Sequence, residues 1–330
     1  MNSAATLSPA DLQILGSLLR SPAGVDTTSF RHEFGATPPQ VTATITRLQQ
    51  LGCELHPTHL SGWRLQRASL EVWQDYLEHF LRATGHPRQV SIYRQIRSTQ
   101  DAARQLERGD AVVLADEQTA GRGRLGRRWL APPGTAVLLS LTHRLRAEDR
   151  DSHDHLQYLV AVAVAQALER ITQRKLIQIK WPNDLVADNR KLAGILIETM
   201  STPNAAHLAI IGIGINVIPV SPHHPAIPDA VHQRIITLHD LGGTADRLAV
   251  AAEVIAQVDR QLLSPHQKLL LDEWRNRNVL HNHHATFQTD GHTLTGTVLD
   301  LDPLAGLIVR CDDGTLTHLH AATTSVLQTE

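Results

Sequence analysis

The sequence predicts an α+β protein in three parts: a helical N-terminal segment closed by a β-hairpin, a central mixed α/β region, and a small all-β C-terminal segment. Three observations carry this. Apolar residues recur at helical spacing as far as Gly52, helix and strand patterns alternate from Val90, and from His284 short alternating strands are punctuated by Asp-Gly and Asp-Pro pairs.

In the first part, Leu12, Ile14, Leu15, Leu18 and Leu19 share one face of a helix over Ser8–Arg20, with Ser8-Pro9 as cap and first turn. A second helix fits Thr27–Phe34, stopped by Gly35. A third starts at Thr37-Pro38-Pro39, aligns Val41, Ile45 and Leu48, and stops at Gly52. Glu54–Leu65, with Ser61-Gly62 at the turn, reads as a hairpin. Three short helices and a hairpin make a winged helix-turn-helix, whose third helix enters a DNA major groove. Yet Arg47 is the only cation between Pro38 and Gly52. Phosphate neutralisation supplies most non-specific DNA affinity, and this helix offers little of it. Operator binding and a purely regulatory or interaction role both stand on these residues.

Leu70–Ala83 reads as an amphipathic linking helix, ended by Gly85-His86-Pro87. Strands follow at Val90–Tyr93 and Ala111–Ala115, with a helix over Ser98–Glu107 between them. A further strand fits Val137–Leu141 and a long helix His155–Gln173. Leu176–Lys180, Asp184–Ala187 and Lys191–Thr199 read as strands, the last two paired around Asp188-Asn189-Arg190. Leu208–Val217 is another strand, and Pro219–Ile235, with four prolines and three histidines, an irregular loop beside the site. Ala245–Leu263 and Pro265–Arg277 are helical by pattern. The C-terminal strands, with Asp290-Gly291, Asp302-Pro303 and Asp313-Gly314 at their turns, have the spacing of an SH3-like module. There is no internal repeat.

At 330 residues the chain can bury a sizeable core, and 42% hydrophobic with 19% charged residues is ordinary globular composition. A net charge of −2 gives no global attraction to nucleic acid, so any DNA contact needs a local patch. Cys53 and Cys311 are too few for a disulfide framework, which suits a reducing cytoplasm. Met1–Leu12 lacks the pattern of a signal peptide, and the apolar runs Leu159–Leu168 and Leu208–Val220 are too short to span a bilayer. The expectation is a cytoplasmic protein with no membrane partner. Arginines number 27 and lysines four: Lys175, Lys180, Lys191 and Lys268. Under a coding bias toward arginine, lysine survives best where a compact ammonium is needed, which singles out Lys180 and Lys191.

Gly121-Arg122-Gly123-Arg124-Leu125-Gly126-Arg127-Arg128-Trp129 places four arginines among three glycines. Guanidinium forks and approachable backbone N–H groups together suit phosphate oxygens. The stretch formally matches a dinucleotide fingerprint, but that motif opens a helix, and Ala131-Pro132-Pro133-Gly134 and a β-pattern follow here. A solvated basic loop is the plain alternative. Lys180-Trp181-Pro182-Asn183-Asp184 ends an apolar strand, where α/β enzymes keep their chemistry, and Lys191 opens the next. Gly212-Ile213-Gly214-Ile215-Asn216 is a buried strand with room for close approach. His281-Asn282-His283-His284 and Ser221-Pro222-His223-His224 invite a metal reading, but no metal-ligand spacing supports it.

Together, Gln118–Trp129, Lys180–Leu185, Lys191-Leu192-Ala193-Gly194-Ile195-Leu196 and Gly212–Asn216 resemble, in order and spacing, the motif series of the biotin protein ligases. The likeness covers the chain from about Ser91 to Leu327. With the N-terminal segment, it is similar to the bifunctional ligase/biotin-operon repressor type.

The resemblance implies a winged helix-turn-helix over 1–66, a linking helix over 67–88, a class II synthetase-like catalytic domain with a mixed sheet over 89–281, and an SH3-like domain over 282–330. It implies that biotin and MgATP give biotinyl-5′-AMP, from which a lysine of a biotin carboxyl carrier protein takes biotin. Carboxylate attack on an α-phosphate gathers negative charge, which fixed cations and a metal stabilise. Lys191, Arg122, Arg124, Lys180 and Asp184 are the implied catalytic set, with Asp184 on Mg²⁺ or the incoming amine. Biotin falls to Ser98, Thr99, Gln100, Gln118, Arg122, Gly123, Arg124 and Lys191. Arg124, Arg127, Trp129, Asn183, Asn216 and Arg247 fall to the nucleotide. A DNA operator for residues 1–66 and a ligand-promoted homodimer through the central sheet complete the expectation. Gln100 departs from the family's usual asparagine, and Ala321-Ala322-Thr323 lacks a common glycine-rich turn. A lipoate-type ligase and a biotin-sensing regulator without ligation are the competing readings.

Overall fold

The computed structural model describes residues 7–59, 62–145, 153–173, 177–202, 207–243, 246–263 and 267–329. Ser61, Leu176, Ala245 and Pro265, expected at turn or element ends, fall outside these residues, as does Lys175.

Chain order begins with α1 (Pro9–Arg20), β1 (Val25–Asp26), α2 (Thr27–Phe34), α3 (Pro38–Gln50), β2 (Glu54–Pro57) and β3 (Gly62–Arg67). Ser8 and Asp11 close a reciprocal capping box at the start of α1, and Gly35, at φ 68°, ends α2 in the left-handed region. The three strands form an antiparallel sheet in the order β1-β3-β2. The expected linking helix is a 3₁₀ turn at Leu70–Val72 followed by α4 (Trp73–Ala83).

The central part runs β4 (Gln89–Ile96), α5 (Thr99–Gln105), β5 (Ala111–Gln118), β6 (Ala136–Arg144), α6 (His153–Thr172), β7 (Gln178–Lys180), β8 (Asp184–Ala187), β9 (Arg190–Ser201), β10 (His207–Asn216), α7 (Asp229–His232), α8 (Arg247–Leu262) and α9 (Gln267–Arg277). Its seven strands lie in the order β4-β5-β6-β10-β9-β8-β7. Only β4 and β5 are parallel, so the sheet is mixed, as expected. Asp188 and Asn189 take positive φ at the β8–β9 turn, while Arg190 already belongs to β9. The segment expected to be irregular throughout carries the single turn α7.

Alternation in β9 and β10 assigns the faces. Ile195, Ile197, Ile211, Ile213 and Ile215 join the main core, on the face where α6 and α8 pack. Gly212 and Gly214 of β10 turn toward the opposite face, which carries α5. The C-terminal strands β11 (His284–Thr289), β12 (His292–Asp302), β13 (Gly306–Cys311), β14 (Leu316–Leu319) and β15 (Thr324–Thr329) form an antiparallel sheet in the order β14-β13-β12-β11-β15. One apolar cluster runs from Leu7 to Ala321, so the parts share a core. No helix among the described residues is long and apolar enough to cross a membrane.

Candidate active site

The α5 face of the central sheet carries a pocket of about 150 Å³. Ligand clefts commonly span roughly 300–1,000 Å³, so this one is tight. Its floor explains why. Gly194 of β9 pairs directly with Gly214 of β10, and the Trp129 indole lies flat on both. A Cβ on Gly214 would stand 2.5 Å from Trp129 Cε2, and one on Gly194 2.9 Å from Cζ3. Only glycine leaves room for the ring.

Lys191 lies along β9 toward Gly194, so that Nζ is 5.3 Å from the Trp129 ring centroid and 2.7 Å from Asp184 Oδ1. Its backbone is held firmly. Its N–H donates to the Arg234 carbonyl at 2.7 Å, and its own carbonyl accepts from Ile236 N–H at 3.0 Å and Asn216 Nδ2 at 3.1 Å. Asn216 therefore positions Lys191 from the end of β10. Asn183 Nδ2 donates to the Ile195 carbonyl at 3.1 Å, tying the turn after the cis Trp181–Pro182 bond to β9.

The N-terminus of α5 supplies the other wall. Ser98 Oγ is buried without a hydrogen-bond partner, which suits it to a ligand. Gln118 Oε1 accepts from Thr99 N–H at 2.7 Å and from Thr99 Oγ1 at 3.1 Å. Gln100 is fully engaged: Nε2 donates to the Ile210 and Leu196 carbonyls, and Oε1 accepts from Ser140 Oγ at 3.0 Å. It packs over Gly212, where a Cβ would stand 2.6 Å from its Oε1. Gln100 thus braces β6, β9 and β10.

The arginine-glycine loop is a small hairpin over this pocket. Trp129 N–H donates to the Gly121 carbonyl at 3.0 Å and Gly123 N–H to the Arg127 carbonyl at 2.8 Å. Arg122 reaches Asp101 at 2.7 Å and Glu198 at 2.5 Å. Burial pulls its guanidinium down, but the two carboxylates outweigh this and hold it above its ordinary value. Arg124 reaches Asn183 Oδ1 at 3.4 Å and the Thr324 carbonyl at 2.9 Å. Arg127 is exposed at the pocket rim.

Three expected residues are not among the lining residues: Asn216, which acts through the Lys191 carbonyl, and Lys180 and Arg247. Lys180 ends the sheet-edge strand β7 with its side chain exposed and is not among the lining residues, although it pairs directly with Asp184, which is. Arg247 is buried in an ion pair with Asp116 at 2.7 Å, and its guanidinium stacks 5.3 Å from the Trp73 ring of α4. It joins the linking helix to β5 rather than lining the pocket. Asp184 is the sole carboxylate among the lining residues, and it faces Lys191. No cluster of three metal-capable side chains occurs among the described residues. A resident magnesium cage of protein groups therefore does not fit here. Burial pushes the Cys53 thiol up to about 11, so it is no nucleophile.

Ser140, Ser325, Asp101 and Glu198 entered unannounced. A lone serine in the apolar run Leu138-Leu139-Ser140-Leu141 was the one sequence signal that could have found Ser140.

A pocket under an arginine-glycine hairpin, with an ion-paired lysine on a mixed sheet, defines the class. Residues 91–216 match the model of the biotin/lipoate A/B protein ligase family. The chain is similar to the bifunctional ligase/repressor BirA of Salmonella typhimurium, 35% identical over 182 residues, or 53% of each chain. To the Bacillus subtilis protein of the same name it is 32% identical over 187 residues, 56% of this chain and 57% of that one. The chain thus spans about half the length of these curated relatives. The biotin protein ligase of Aquifex aeolicus, solved in complex with biotin and ATP, shares the fold. Its TM-score is 0.61 at 24% identity, covering 72% of this chain and 98% of that one.

Proposed function

We propose that this protein is an ATP-dependent biotin protein ligase. The biotin carboxylate attacks the α-phosphate of MgATP and the bond to pyrophosphate breaks, leaving biotinyl-5′-AMP. The ε-amine of a carrier-protein lysine then attacks the acyl carbon, forming an amide and expelling AMP. The observation that carries this reading is Lys191, fixed at both backbone groups and poised 2.7 Å from Asp184 over Trp129. Such a preorganised ammonium is where charge on an attacked phosphate would be stabilised. Ser98 Oγ supplies an unsatisfied group for a neutral ureido ring. Arg127 at the rim, with Asn183 behind it, belongs to the nucleotide side, and Trp129 must lift from its glycines to admit the whole ligand. Magnesium arrives with the nucleotide. Asp184, once Lys191 turns to the phosphate, is free to orient the incoming amine.

The experiment is ATP–pyrophosphate exchange with biotin or lipoate, with and without a carrier domain. Exchange with biotin is expected; exchange with lipoate alone would sink the reading.

The same proposal takes 1–66 as a winged helix-turn-helix, 67–88 as the linker, 89–281 as the catalytic domain and 282–330 as an SH3-like domain. Three helices with a β1-β3-β2 sheet support the first, and five antiparallel strands the last. The protein would work in the cytoplasm as a ligand-promoted homodimer through the central sheet, and repress a biotin operon through α3. Arg47, the one cation of α3, is paired with Asp11, so phosphate contacts would fall to the exposed Arg31 and Arg64 beside it. A biotin-promoter fragment should shift in a salt-sensitive, biotin-dependent way. A shift that survives deletion of residues 1–66 would remove the DNA assignment.

A further inference from the structure

Arg122 stands at the root of the hairpin loop, where Trp129 returns to Gly121 and an antiparallel bridge joins Arg122 to Arg128. Its two guanidinium nitrogens go to two different elements: Nη1 to Asp101 Oδ1 at 2.7 Å, in the first turn of α5, and Nη2 to Glu198 Oε1 at 2.5 Å, on β9. Glu198 also accepts from Arg104 Nη2 at 3.1 Å. The four groups sum to zero formal charge. An arginine so neutralised contributes little field at a phosphate a few ångströms away. It is well placed to fix geometry, because a planar fork held at both tines loses its rotational freedom.

The partners sit close to the pocket without lining it. Asp101 lies two residues beyond Thr99 on α5, and Glu198 two beyond Leu196 on β9, both of which line the cavity. The carboxylates therefore connect the loop root to the two elements that form the pocket walls. Asp101 gains from the positive end of α5, and Glu198 has a side chain only 21% exposed.

Resting on the ligase reading, we infer that Asp101 and Glu198 are positioning residues that clamp the loop root through Arg122 and so retain the reactive adenylate until the carrier arrives. They act on escape, not on adenylation. Once loose, the adenylate reaches bulk water, which hydrolyses it to biotin and AMP.

The test uses the full chain as Asp101→Asn, Glu198→Gln and the double variant. Each substitution keeps the side-chain shape, and Asp101 is 46% exposed, so the fold is preserved in at least that single variant. Two readouts are needed. The first is tryptic cleavage inside 122–128, which requires no catalytic activity. The second is the ratio of pyrophosphate released without carrier to ATP–pyrophosphate exchange. Two partly exposed pairs of ordinary strength predict that the double variant is cut, and leaks adenylate, about three- to tenfold faster. Exchange should stay within about twofold, as the groups do not touch the reacting atoms. A merely structural role would lower exchange and retention together, and that result overturns the clamp. Unchanged cleavage overturns it as well. If the wild-type protein shows no biotin-dependent exchange, the ligase reading falls, and with it the retention of an adenylate.

Discussion

Arg124 and Thr324 stand 200 positions apart, yet the guanidinium of one donates to the carbonyl of the other at 2.9 Å. Arg124 also donates to the Ala321 carbonyl. The tip of the active-site hairpin is thereby docked on the turn before β15, and Ser325 enters the pocket lining. Behind it, Trp181 packs edge-on against Phe287 of β11 with ring centroids 6.5 Å apart. The C-terminal sheet is a wall of the site as well as an appendage.

Arg124→Ala should therefore loosen the hairpin tip and the C-terminal docking at once. Charge-assisted hydrogen bonds to carbonyls are each worth about 1.5–3 kcal/mol when partly buried, and loss of this pair should destabilise the docked sheet on that scale. Arg124→Lys should recover only part of this, as an ammonium cannot span two carbonyls in one plane. Hydrogen exchange at β15 is the measurement. Equal protection in wild type and Arg124→Ala would show that the docking does not need this contact.

Lys191→Ala should nearly abolish exchange while biotin still binds weakly. Removing one preorganised charge stabiliser from such a site costs about 10²–10³ in rate. Lys191→Arg should not rescue. The lysine Cε and Nζ run 3.2 Å from a Cβ position on Gly194, beside Trp129, and a wider guanidinium would collide there. Wild-type exchange in Lys191→Ala would refute its assigned role.

Gly214→Ala tests the floor. The new methyl would meet Trp129 at 2.5 Å, and overpacking of this kind costs about 1–3 kcal/mol. The methyl would still stand on the floor once Trp129 has lifted to admit the ligand, so ligand affinity should fall more than stability. Biotin titration beside thermal melting separates the two effects.

Local chemistry was legible in the sequence. Ser8-Pro9 and Gly35 announced helix ends, Asp290-Gly291 a hairpin, and the glycines of 212–216 a close approach, because each signal resides within a few residues. The pocket residues Ser98, Thr99, Gln118, Asp184 and Lys191 were legible as motifs. What stayed hidden depends on tertiary pairing. Nothing near Arg122 shows that Asp101 and Glu198 neutralise it, nor does anything near Arg247 point to Asp116 and Trp73. Lys180 stands outside the lining although it pairs with Asp184, because scarcity as a residue type says nothing about how close to a cavity a strand-end side chain comes.

The last prediction concerns Asp11, whose side chain is 3% exposed between α1 and α3. Oδ1 accepts from Thr44 Oγ1 at 2.7 Å and Oδ2 from Ser8 Oγ at 2.7 Å, with Arg47 also paired to it. Burial pushes this carboxyl up, but the hydrogen bonds from Thr44, Ser8 and Arg47 outweigh it and hold it below the ordinary value of 3.8. A lowered native pKa means the unfolded chain takes up the proton first as pH falls. The stabilisation is therefore complete above pH 3.8 and is lost as pH drops through the lower native value. Asp11→Asn presents one acceptor where two were used and places an amide N–H₂ against a donor. The expected cost is about 1–3 kcal/mol near neutral pH. That difference should shrink toward zero in acid, where the wild-type carboxyl is itself protonated. Urea unfolding of both proteins near pH 7 and again below the native pKa, followed by hydrogen exchange in α1 and α3, decides it. A gap between the two that persists undiminished in acid would show that charge on Asp11 is not what joins these helices.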